Sequence, residues 1–103
     1  MIEVTILIPM ADYNNVAFTP AHHAAFEADL LSHFGGFQLA VGNVTGQWKD
    51  AGTIYADELR EYKVAVKGMI EAGGELAATV AFAKGHYSQL AVYVRYLGNC
   101  EIL

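Results

Sequence analysis

An α+β fold of the ferredoxin-like kind, with a four-stranded antiparallel sheet and two helices on one of its faces, is what this chain predicts. Three observations carry it. Segments of strand period and of helix period follow one another as strand, helix, strand, strand, helix, strand within 103 residues. Helix and turn punctuation falls between them, at Thr19-Pro20, Gly35-Gly36 and Gly98-Asn99. The length suits one domain, residues 1–103, with no repeat, linker or low-complexity stretch.

Residues Ile2 to Pro9 alternate, Ile2, Val4, Ile6 and Ile8 against Glu3, Thr5 and Leu7, which is the period of a half-buried strand. Asp12 to Asn15 is a polar turn. Thr19-Pro20 then starts a helix, hydroxyl as cap and proline in the first turn, and the helix runs to about Phe34. Phe26, Leu30, Leu31 and Phe34 fall in one arc of it, and Gly35-Gly36 stops it. Phe37, Leu39 and Val41 define a second strand, and Gln47 to Thr53 reads as a hairpin connection with Asp50 and Gly52 as its turn residues. A third strand follows from Ile54, strongest at Tyr62, Val64 and Val66. Met69 to Tyr87 is helical, with Ile70, Leu76, Val80 and Ala83 as its buried stripe, and Gly73-Gly74 argue for a late start near Gly74. Leu90 to Leu97 forms the last main strand, and Cys100 to Leu103 has room for a short fifth.

Composition narrows the function. The charged fraction is 17%, against roughly a quarter in ordinary soluble domains, so part of the surface is expected to be covered by something other than water. A net charge of −5 with six Lys and Arg supplies no cation cluster for phosphates, which excludes nucleic acid as the expected partner. No run approaches the ~20 apolar residues of a membrane span. The first residues read as a strand and not as a signal peptide, so a cytoplasmic product is expected. The single cysteine, Cys100, reads as a small hydrophobe.

With helices over the Ile6, Leu39, Val64 and Val94 side, the other sheet face carries Thr5, Leu7, Gln38, Ala40, Lys63, Ala65, Ala91, Tyr93 and Arg95. Leu7, Tyr93 and the alanines would leave a sizeable apolar patch, which favours association, a second copy being the simplest partner.

Two clusters are candidates for chemistry. His23 and Glu27 are four residues apart on the first helix and share a face, a spacing that suits an acid-base pair or, equally, a local ion pair. Glu27 lies inside the apolar arc, where an unpaired carboxylate is costly. His22 and His33 are about 16 Å apart along that helix, too far for one ion, and no Cys-x-x-Cys or His-Glu-x-x-His spacing is present, so no metal and no cofactor are expected. Trp48 sits in the hairpin connection and Tyr55 just after it, and Tyr93 and Arg95 lie on the open face, where they suit a planar or anionic small-molecule ligand. Tyr13 and Asn14 of the first loop are placed to approach the same end of the sheet. Arg95 can instead pair with Glu3 or Glu61 across strands.

The segments Phe34-Gly35-Gly36-Phe37, Gly46-Gln47-Trp48 with Tyr55, and Gln89-Leu90-Ala91-Val92-Tyr93-Val94 together resemble small bacterial proteins of ferredoxin-like (βαββαβ) fold. The strand order is loosely similar to that of dimeric α+β barrel proteins, including cofactor-independent monooxygenases, and of trimeric proteins of the PII and CutA kinds. Their nucleotide-binding and metal-binding signatures have no match here. The resemblance implies a fold and no activity.

The expected function is therefore a small homo-oligomeric domain with a binding or regulatory role, its site near the subunit interface at Trp48, Tyr55, Tyr93 and Arg95. The alternative is a cofactor-independent enzyme acting on a small apolar substrate, with His23 and Glu27 as acid-base pair.

Overall fold

The computed structural model describes the backbone of all 103 residues and every side chain except those of Trp48 and Asn99. The chain runs β1 (Ile2–Pro9), α1 (Pro20–Phe34), β2 (Gln38–Leu39), β3 (Val44–Asp50), β4 (Thr53–Val66), α2 (Met69–His86), β5 (Tyr93–Tyr96) and β6 (Asn99–Ile102). All pairings are antiparallel, in the order β2-β4-β1-β5-β6, with β3 also on β4. That is the predicted ferredoxin-like arrangement, with six strands in place of four. The predicted second strand, Phe37 to Val41, is reduced to the short β2, an unpredicted β3 follows it, both lie along the 14-residue β4, and β6 adds the outer strand.

Register explains the core. Val4 lies opposite Val64 and Ile6 opposite Tyr62 and Val94, so these side chains share one sheet face and are buried under the helices. From α1 come Phe26 and Leu30, and from α2 Ala72, Leu76, Val80 and Ala83. Two stripe residues fall elsewhere: Leu31 is 51% and Ile70 100% exposed, because Phe26 and Leu30 on one helix and Ala72, Leu76 and Val80 on the other fix the helix rotation. The glycines do not delay α2. It begins at Met69, since Met69 and Ala72 pack on the core and offset the low propensity of Gly73 and Gly74, whose Cα atoms face open space.

Two hairpins turn on the same device. Asp50 pairs with Thr53 around Ala51-Gly52, and Tyr96 with Asn99 around Leu97-Gly98. All four turn residues have positive φ, 50° and 82° in the first and 50° and 75° in the second, the signature of a type I′ turn whose twist matches that of the strands. The first hairpin thus turns at Ala51-Gly52, and Gln47 to Asp50, expected as connection, are strand.

β1 pairs with β4 as far as Leu59 and the Met10 amide donates to the Glu58 carbonyl at 3.0 Å, so Thr53–Asp57 of β4 has only β3 as a ladder partner. β3 and this part of β4 form a two-stranded arm beyond the five-stranded body.

Candidate functional site

The residues singled out in the sequence occupy three places. His23 and Glu27 both lie under α1. His23 is 2% exposed and its Nδ1 is 2.7 Å from the Tyr87 hydroxyl at the end of α2. Burial, followed by the nearby Arg60 and His22, lowers its pKa to about 4 and holds the ring neutral. Among the described residues its Nε2 has no hydrogen-bond partner. Glu27 takes other partners. The Tyr62 hydroxyl donates to Glu27 Oε2 at 2.7 Å, and Arg60 Nη2 donates to the same oxygen at 3.2 Å. Arg60 also lies 5.5 Å from the Tyr62 ring centroid. Burial, then the bond to Glu27, holds the Tyr62 hydroxyl above the usual phenol range. The carboxylate is thus neutralised across the α1–β4 junction, and His23 and Glu27 are joined to different elements.

The open face holds Tyr93 and Arg95. Tyr93 and Glu61 both lie opposite Leu7, while Arg95 and Lys63 both lie opposite Thr5. Lys63, not Arg95, takes the carboxylates: its Nζ is 3.6 Å from Glu3 Oε1 and 3.5 Å from Glu61 Oε1. Arg95 is exposed and makes no ion pair among the described residues. The neighbouring Cys100 thiol raises the Tyr93 hydroxyl above the usual phenol range.

The arm holds Tyr55 and Trp48, which face each other in the β3–β4 ladder. The Trp48 side chain lies outside the described ones. Tyr55 is about half exposed, and Ile54 beside it is 68% exposed. Tyr55 is six residues along β4 from Glu61, and hence about 20 Å along the strand from the Tyr93 row. One chain therefore does not bring Trp48 and Tyr55 together with Tyr93 and Arg95.

Two clefts are present that the sequence did not locate. One, of about 380 Å³, lies between the base of the arm and the first loop and is lined by Asp12, Asn15, Ala17, Thr45, Asp57 and Glu58, among others. Asp12 shapes that loop: its Oδ1 accepts from the amides of Asn14 and Val16, both at 2.9 Å, and Ala11 bridges Ala17. The expected approach of the first loop to this end of the sheet is met by Asp12 and Asn15, neighbours of Tyr13 and Asn14. The second cleft, about 330 Å³, lies beyond the end of α1 between Phe34, Phe37, Lys63 and Met1. Neither cleft is lined by His23 or Glu27. Among the described residues no group of three or more His, Cys, Asp and Glu is placed to hold a metal ion, and no helix is long and apolar enough to cross a membrane.

No protein-family model and no curated protein matches the sequence. Solved structures do match the fold. A phage SAM lyase in complex with S-methyl-5′-thioadenosine superposes with TM-score 0.73 at 9% identity, over 99% of this chain and 88% of that one. The apo state of phage SAM lyase gives 0.70 at 9% identity, over 99% and 87%. The divalent cation tolerance protein Cut A1 from Thermus thermophilus gives 0.62 at 16% identity, over 94% and 82%. These likenesses establish a shared ferredoxin-like architecture along nearly the whole chain.

Proposed function

We propose that this protein is a self-associating small-molecule-binding domain whose site is built between copies, the arm of one bringing Tyr55 and Trp48 to the Tyr93 and Arg95 face of another. The observation that carries this reading is the arm itself. A two-stranded ribbon is marginal in water, and beyond Glu58 this one has no ladder partner on either outer edge and has exposed apolar groups at Ile54 and Tyr55. Cover from a second copy supplies the third strand or the apolar contact that the ribbon lacks. The same docking explains why the aromatic and cationic candidates are ~20 Å apart in one chain. Sedimentation with ligand titration tests it. Self-association should be lost when Thr45 to Glu58 are replaced by a short turn, and S-methyl-5′-thioadenosine should raise the melting temperature of the intact protein only.

A second reading gives that site a reaction, cleavage of S-adenosylmethionine to S-methyl-5′-thioadenosine. It is favoured by the two SAM lyase structures, which match this chain over 99% of its length. The chemistry asks little of side chains. When the carbon–sulfur bond breaks, its electron pair returns to the sulfonium, which leaves as a neutral thioether. A nucleophile within the substrate, its own carboxylate, can take the carbon as the bond breaks. A site for such a step must hold the substrate in a bent conformation and exclude water, and it needs no strong base. That suits an enclosure between subunits better than the His23 and Glu27 pair, which lines neither cleft and whose Nδ1 and Oε2 are held by Tyr87, Tyr62 and Arg60. Incubation with S-adenosylmethionine and chromatography for the thioether decides it: product formed in proportion to enzyme supports the reaction, and intact substrate leaves binding alone.

A further inference from the structure

Four rings stack in a column where the start of α1 meets the end of α2. Phe18 lies 4.7 Å from His22 at 14°, His22 lies 3.7 Å from His86 at 10°, and His86 lies 5.0 Å from Phe82 at 23°. The two histidines also bond reciprocally: each Nε2 is 2.7 Å from the backbone carbonyl of the other residue, so each Nε2–H donates. Tyr87 closes the side of the column, edge-on to Phe18, His22 and His86 at 5.0 to 5.1 Å.

We infer that the His22–His86 pair is an acid-sensitive clasp, locking the start of α1 to the end of α2 while at most one imidazole carries a proton and opening when both do. With Nε2 already a donor in each ring, an added proton enters at Nδ1 and leaves the reciprocal bonds in place. The first proton is tolerated. His86 is the last residue of α2, where the helix dipole favours a cation, and the Phe82 face beside it stabilises one. With both rings charged, the His22 imidazolium sits in the first turn of α1, at the positive end of that helix's dipole, and two like charges lie face to face at 3.7 Å.

The other ionisable groups at this junction are His23 and Glu27 of α1, Lys84 in the last turn of α2, Tyr87, and Arg60 of β4. Glu27 is already bound by Arg60 and Tyr62 and is not free to pair with a second imidazolium. The clasp connects to the larger cleft. The Phe18 amide donates to the Met10 carbonyl at 3.0 Å and closes the loop whose Asp12, Asn15 and Ala17 form one cleft wall. Release of Phe18 frees that wall.

Native-state hydrogen exchange of the full chain, corrected for intrinsic rates, tests the clasp at pH 7.5 and pH 5.0. The amides of Phe18, His23 and Tyr87 should lose protection by about tenfold or more at the lower pH, in excess of any change at Ile6 and Val64 in the sheet. The double variant His22→Gln with His86→Gln keeps a donor at each end without a titrating ring and should lose most of that excess. The single variant His86→Gln admits one proton only and should do the same, which covers the case in which the double variant does not fold. An excess below threefold in the natural protein, or an equal excess in the variants, overturns the clasp.

Discussion

Tyr87 shows how one side chain ties the two helices together. Its hydroxyl meets His23 Nδ1 at 2.7 Å in a buried setting, and its ring packs on Phe18, Phe26, His22 and His86. Tyr87→Phe keeps the ring and strips His23 of its one partner, so it should cost about 1–3 kcal/mol of stability, read by urea denaturation. The neutral His23 makes stability depend on pH with a definite sign. Its folded pKa, about 4, lies below the free value of 6.5, so the unfolded chain binds the proton first. The contribution is whole above pH 6.5 and is lost as pH falls toward 4, by about 1.4 kcal/mol for each unit of depression. Denaturation midpoints at pH 7.5, 5.5 and 4.5 should fall in that order, and a His23→Gln variant should shrink the fall, leaving the share that belongs to the His22–His86 pair. Part of this was legible in the sequence. Glu27 within an apolar arc demanded a partner, and the structure supplies two. That they are Tyr62 and Arg60, 35 and 33 residues away, depends on β4 register and has no local signal. The meeting of His22 with His86 across 64 residues is equally a product of tertiary placement.

At the scale of elements, period and punctuation were enough for both helices and for the inner strands. The Thr19 cap is observed, its hydroxyl accepting from the His22 amide, and Gly35 adopts the left-handed stop. The arm was not legible. Gln47 to Asp50 carries the glycine, aspartate and lysine neighbours typical of a turn, and it becomes strand because the tight Ala51-Gly52 turn lies farther along. Ala51 and Leu97 hold left-handed φ without the residue type that favours it. Ala51→Asn and Leu97→Asn create Asn-Gly turns and should each stabilise by a few tenths to about 1 kcal/mol, seen as a higher melting temperature. In α2, Gly74→Ala meets no neighbouring atom and should add about 0.5–1 kcal/mol by raising helix propensity.

For the whole molecule, the order of segments foretold the fold, and the low charged fraction is the ground for expecting a surface meant for cover. Neither locates the arm, because that depends on how far β4 outruns β1, a matter of pairing. The body is held by a core in which Phe26 touches Tyr62 and Tyr87, and Phe26→Ala should cost about 3–5 kcal/mol, enough to unfold much of a domain this small. The arm adds little to that core, and under the proposed function it serves contact with a second copy. Sedimentation equilibrium of the intact chain at low micromolar concentration tests this most directly. A dimer or larger species, reduced to monomer by removal of Thr45 to Glu58, is the expected result. A monomer with the arm in place would contradict a site built between copies.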